Sequence, residues 1–182
     1  MNAVEELLER NNRFAERHEP GQTPLPRLRT CVVSCPDPRV DPAQVLGLEL
    51  GDAAVVRAAA GRISPIVLQQ LLFLQATSAA IPASRVDGAD ETAFELVLMQ
   101  HTDCGIRHFT GREARDGLAA FLGCTVDELD GKSVTDPYGA VRIDIDALAA
   151  NPLIPDTLSV TGLVYDVHSG RAELVERRSP LR

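Results

Sequence analysis

The sequence has no tryptophan, and aromatic residues make up only 4% of its 182 positions. Proteins that hold single-stranded nucleic acid stack its bases on aromatic side chains, so that class is excluded. An excess of basic charge is missing as well. Lys and Arg number 18 against 26 Asp and Glu, a formal net charge of −8. That sign is wrong for a general binder of phosphate backbones, and no nucleic-acid partner is expected. Long apolar runs are also absent, since the most apolar helical stretch, 66–81, is broken by Gln69, Gln70 and Gln75. No membrane-spanning helix is expected. Residues 1–19 carry five acidic side chains and three arginines, with no apolar stretch of leader length. A cytoplasmic protein is the expectation. There is no Gly-x-Gly-x-x-Gly and no P-loop. A cysteine phosphatase loop needs Arg six positions after its Cys, but those positions hold Asp41 after Cys35 and Thr110 after Cys104.

What the chain does have is four cysteines. A single domain of this length buries roughly 70% of its unfolded surface and needs no disulfide staples. Cytosolic thiols are kept reduced. The cysteines therefore read as metal ligands, reactive thiols or small core residues.

Apolar residues at helical spacing (Val4, Leu7, Leu8, Phe14) predict an amphipathic helix over 2–18. The segment 20–26 holds three prolines and a glycine and reads as a linker. Residues 1–26 are thus an N-terminal helical arm and linker, and 27–182 a single α/β domain. Within that domain, 29–34, 53–57 and 94–100 read as strands. Asp41-Pro42 and Ser64-Pro65 each place an N-cap before a first-turn proline, the second opening a helix to about residue 80. Residues 82–93 read as a surface loop, 111–122 and 136–149 as helices. The segments 158–167 and 171–176 flank Ser169-Gly170 as a strand pair. This alternation argues for a central, mostly parallel sheet flanked by helices.

Chemistry concentrates at two strand ends. Cys35 directly follows the first strand; His101 directly follows the third and leads Thr102-Asp103-Cys104. Loops leaving the carboxyl ends of parallel strands converge on one crevice. Two thiolates and an imidazole select Zn²⁺, and three protein ligands leave the fourth position open for water. Cys31 is excluded, because four extended residues separate it from Cys35 by roughly 13 Å. Two sulfurs on one zinc lie at most about 4.6 Å apart. No spacing links Cys124 to the site, so Cys31 and Cys124 read as small buried residues. Taken singly, a Cys after a strand is usually a buried hydrophobe and His-x-x-Cys an ordinary loop; it is the shared strand-end position that argues for a metal. Pro36 and Pro38 stiffen the loop holding Asp37 and Arg39. An Asp beside an Arg stays ionised and can accept a hydrogen bond from water at the metal. The plainer reading of that pair is a surface salt bridge in a turn.

Cys35-Pro-Asp37-Pro-Arg39, Gly51-Asp52 with Val55-Val56-Arg57, and His101-Thr-Asp-Cys104-Gly105 together resemble the β-class carbonic anhydrases, in order, from about residue 28 to 123. The resemblance implies one zinc ion per subunit on Cys35, His101 and Cys104, with Asp37 and Arg39 as the catalytic dyad. It also implies a parallel α/β sheet whose N-terminal helix crosses onto a partner, in a homodimer or a dimer of dimers. The expected activity is reversible hydration of CO₂ to bicarbonate and a proton, with zinc-bound hydroxide as nucleophile. Where the family usually has Arg-Asn-Ala-Gly-Gly, this chain has Arg57-Ala58-Ala59-Ala60-Gly61. Val56, Ala58, Ala59, Ala60 and Gly61 are the expected substrate wall, and His108 the candidate proton carrier. Two alternatives accompany the resemblance: hydrolysis of carbonyl sulfide or carbon disulfide on the same site, and a non-catalytic zinc protein in which Asp37 occupies the fourth position. An inhibitory bicarbonate site of the usual form, which includes a Trp, is excluded.

Overall fold

The computed structural model describes residues 2–20, 24–81, 94–109, 111–133 and 135–182. The expected loop over 82–93 and part of the linker lie outside them.

The first element is α1 (Ala3–Ala15). The Asn2 side chain accepts from the Glu5 N–H, and the Glu5 carboxylate accepts in return from the Asn2 N–H. This capping box satisfies two end donors at once. Nothing in α1 is buried: Val4, Leu7 and Leu8 are each at least 60% exposed.

The remaining elements are β1 (Thr30–Ser34), α2 (Pro42–Val45), β2 (Ala53–Arg57), α3 (Pro65–Ala80), β3 (Glu95–His101), α4 (Arg112–Leu122), α5 (Pro137–Ala150), β4 (Ser159–Asp166) and β5 (Arg171–Arg178). The strands form one sheet in the order β2-β1-β3-β4-β5, parallel except for β5. The predicted helix starts hold. Asp41, Ser64 and Asp136 each cap the following helix through the side chain, with proline at the first turn. His101 ends β3 instead of following it, because the strand keeps its register with β4 as far as His101 and Tyr165. Among the described residues, four single turns of 3-10 helix (Pro38–Val40, Ala59–Gly61, Gly105–His108, Asp130–Lys132) have no mark in the sequence, since one turn produces no hydrophobic periodicity.

The main core joins one face of the sheet to α3 and α5. Cys31 and Val33 of β1 and Leu96 and Leu98 of β3 meet Val67, Val141, Ile145 and Leu148. Gly162 lets α5 approach β4, since a Cβ there would stand 2.1 Å from Val141 Cγ1. Cys31 is buried, as expected; Cys124 is only half-buried, packed against a smaller cluster formed by α4 with Ile106 and Leu129. Between the layers runs a buried ion pair. Arg62 Nε and Nη2 donate to the two oxygens of Asp144 at 2.9 and 3.0 Å, and the Ile63 N–H and Gln100 Nε2 add donors to the same carboxylate. Burial pushes the Asp144 carboxyl up, and Arg62 opposes it. No helix among the described residues is long and apolar enough to cross a membrane.

Candidate metal centre

β1 ends at Ser34, which places Cys35 at the carboxyl edge of the sheet. The next residues fold back on themselves. Asp37 caps the 3-10 turn that Pro38 opens, accepting from the Arg39 N–H at 2.9 Å. The Arg39 side chain returns to the same carboxylate, Nε to Oδ1 at 3.0 Å and Nη2 to Oδ2 at 2.7 Å. A fork of this kind fixes the carboxylate plane. Arg39 is itself held from the other loop: Nη1 donates to Asp103 Oδ2 at 3.1 Å and Nη2 to the Asp103 carbonyl at 3.0 Å. Arg57, at the end of β2, fastens the backbone of the Cys35 loop. It donates to the carbonyls of Cys35 and Asp37 at 3.0 and 2.7 Å, and to Asp41 at 2.7 Å.

His101 arrives from β3 and is 2% exposed. Its Nδ1 donates to the Thr102 carbonyl at 2.8 Å, which leaves Nε2 with the lone pair. That Nε2 is buried and has no hydrogen-bond partner. A buried ring nitrogen without a partner is costly unless something else takes its lone pair. The two thiols beside it are the answer: Cys35 Sγ lies 3.9 Å from Cys104 Sγ, and the three donor atoms fall within 4.8 Å of one another. Sulfurs bound tetrahedrally at about 2.3 Å to one zinc stand about 3.8 Å apart. The orphaned nitrogen, the sulfur spacing and the soft donor set all fit Zn²⁺.

The charges fit as well. The hydrogen bond with Cys104 holds the Cys35 thiol down at about 4, against burial and with help from His101. The same bond, followed by burial, pushes the Cys104 thiol up. Two thiols this close share one proton, which a dication between them displaces. The Arg39 guanidinium holds the Asp37 carboxyl down at about 2. Arg39, with smaller help from Arg107 and His168, also holds the Asp103 carboxyl low.

A cavity of about 40 Å³ opens beside His101 and Cys104, lined by Ala60, Arg62, Gln100 and Ile106 among others. Of the expected substrate wall, Ala60 lines this cavity, whereas Val56 sits in the main core and Ala58 packs against that core. Gly61 is at φ +67, and a Cβ there would lie 2.8 Å from the Met99 carbonyl and 3.3 Å from the Cys35 nitrogen. Glycine is required for that close approach. Ala60 adopts φ +54, a left-handed conformation that costs an alanine roughly 1–2 kcal/mol. His108 lies exposed at the end of the turn after Cys104. The pairing of Arg57 with Asp41 and the contact of Asp103 with Arg39 have no local mark in the sequence. A φ of +53 at Asp103 marks the sharp turn that brings it to Arg39.

No family model matches the chain. A solved carbonic anhydrase from Streptococcus mutans is 31% identical, with a TM-score of 0.70 over 97% of this chain and 99% of that one. The chain belongs to the β-class carbonic anhydrase family. Beta-carbonic anhydrase 1 of Mycobacterium tuberculosis is 27% identical over 172 residues, covering 94% of this chain and 96% of that protein. A carbon disulfide hydrolase from Acidianus sp. is also 27% identical, over 79% of this chain and 75% of its own. β-Carbonic anhydrases are zinc enzymes, and this member carries a Cys-His-Cys set able to hold that ion.

Proposed function

We propose that the chain catalyses the reversible hydration of CO₂ to bicarbonate and a proton, with Cys35, His101 and Cys104 as zinc ligands and Asp37 and Arg39 as the catalytic dyad. The observation that carries this is the convergence of three soft donors on one point beneath an Arg-clamped carboxylate. Zinc held by three protein side chains supplies a Lewis acid with one position open, which brings the pKa of water there toward ~7. Asp37, held at about 2, is a carboxylate throughout the neutral range and acts as acceptor only. It takes the hydrogen bond of the attacking water and orients it, while Arg39 prevents the carboxylate from rotating. Ala60 and Ile106 give the adjoining cavity an apolar side, which suits a small apolar gas. A volume of about 40 Å³ is room for a small molecule such as CO₂. His108, exposed at the end of the turn after Cys104, carries the released proton to solvent.

The chain acts as a homodimer or dimer of dimers in the cytoplasm. Support for a partner comes from apolar surface left bare in one chain: the stripe of α1, and Ile66 and Phe73 of α3, which are 57% and 70% exposed. α1 serves as the arm that docks on the second subunit.

The likeness to a carbon disulfide hydrolase favours a second reading, hydrolysis of CS₂ or carbonyl sulfide on the same three ligands. Parallel stopped-flow CO₂ hydration and H₂S-release assays on the zinc-loaded protein separate them. Hydration without H₂S release is the expected result; H₂S release without hydration reverses the assignment, and neither activity leaves the non-catalytic zinc protein.

A further inference from the structure

A second cavity of the chain lies away from the metal centre. It has a volume of about 510 Å³, inside the range of small-molecule pockets, about 300–1,000 Å³. Its lining includes Cys31 and Leu96, the second residues of β1 and β3, whereas Cys35 and His101 stand where those strands finish. The two openings are therefore at opposite ends of the sheet.

The wall is apolar, with Leu71 and Leu74 from α3 and Phe94 and Leu158 from the segments entering β3 and β4. Into it comes one full charge, Arg29. Arg29 adopts φ +52, a conformation that arginine rarely takes. Two backbone bonds hold it there: its N–H donates to the Pro26 carbonyl at 2.9 Å, and its carbonyl accepts from the Glu95 N–H at 3.0 Å. Its Nε is buried and makes no hydrogen bond. Arg27, Arg39, Arg57, Arg62 and Arg178 each have a carboxylate partner. Among the described residues no carboxylate pairs with Arg29. A guanidinium at an apolar chamber with no carboxylate beside it is a charge that the described residues leave unbalanced.

We propose that this cavity binds an apolar monocarboxylate, such as a medium-chain fatty acid, with its carboxylate on Arg29 and its tail along Leu71, Leu74 and Phe94. The planar fork of a guanidinium matches the two oxygens of a carboxylate. One cation neutralises one negative charge, so a monoanion suits the site better than a phosphate dianion, which would carry unbalanced charge into an apolar wall. The tail supplies the remaining affinity by leaving water.

Calorimetric titration of the full-length, zinc-loaded protein with decanoate, decan-1-ol and acetate tests this. Decanoate binds saturably at about one per chain; decan-1-ol, with a similar tail and no charge, binds about tenfold more weakly or worse, and acetate shows no binding. Arg29→Met reduces decanoate affinity about tenfold and leaves decan-1-ol unchanged. Ala79→Trp, which fills the chamber, abolishes both. Thermal melting of each variant verifies that it is folded. Absence of saturable decanoate binding to the wild type, as when a second copy's helix already fills the chamber, overturns the proposal. So does decanoate binding that is indifferent to Arg29→Met or survives Ala79→Trp. The readout is binding at the far end of the sheet, so its outcome is independent of whether the metal site hydrates CO₂.

Discussion

At the scale of single residues, the metal centre is three donors and the groups that aim them. His101 is fixed by its Nδ1 bond to the Thr102 carbonyl, Cys35 by Arg57 acting on its loop, and Asp37 by the fork of Arg39. Cys35→Ser removes a thiolate from the set and is expected to strip zinc from the purified protein, whereas Cys31→Ser leaves the content at about one per chain; metal analysis of the two variants reads the difference directly. Burial pushes the Cys31 thiol up to about 12, consistent with an inert core residue. Ala60 offers a prediction of opposite sign. It holds a left-handed φ of +54, a conformation that suits glycine. Ala60→Gly relieves roughly 1–2 kcal/mol of strain and loses about 0.5–1 through the more flexible unfolded chain, a net gain of up to about 1.5 kcal/mol in urea unfolding. The three donors were legible in the sequence because Cys35 and His101 sit next to or at a strand end, Cys104 follows three residues on, and strand ends of a parallel sheet converge. Asp103 was legible only as a polar loop residue. Its partner Arg39 is 64 positions away, and no local pattern encodes a contact at that distance.

At the scale of elements, local chemistry written in neighbouring residues is what the sequence conveyed best. Asp41-Pro42, Ser64-Pro65 and Asp136-Pro137 mark three helix starts because a side-chain cap and a first-turn proline act within four residues. The 3-10 turn at Ala59–Gly61 left no such mark; it is bent by the need to pass close to Met99 and Cys35. The link between that turn and α5 is the buried pair of Arg62 with Asp144, whose side chains are 2% and 3% exposed. No local pattern marks this pair in the sequence, because the partner of Arg62 lies 82 positions on. Asp144→Ala strands a buried guanidinium and is expected to cost about 3–5 kcal/mol, measured by urea unfolding. Asp144→Asn, which keeps hydrogen-bond acceptors for Ile63 and Gln100, falls between the two.

At the scale of the whole molecule, one sheet presents two different ends. Its carboxyl end gathers the metal donors, and its amino end opens the Arg29 chamber. The base of β2 is tied to the start of the domain by Asp52, which accepts from Arg27 and from the Glu49 N–H. Those bonds, led by the Glu49 N–H, hold the Asp52 carboxyl below its ordinary 3.8. A lowered folded-state pKa contributes stability that is complete above the unfolded value and disappears as pH falls through the folded one. Asp52→Asn is therefore expected to lower the melting temperature near pH 6, with the gap from wild type closing as pH drops below about 4; melting curves at several pH values check this. The apolar stripe of α1 and the exposed Ile66 and Phe73 are the surfaces that the proposed second subunit would cover.

The central claim is that Asp37 works on water at a zinc held by Cys35, His101 and Cys104. The most direct test is stopped-flow CO₂ hydration by Asp37→Asn with its zinc content measured on the same sample. The account predicts about one zinc per chain, as in wild type, and hydration reduced by about 10²-fold or more. Zinc retained with hydration unchanged would contradict it.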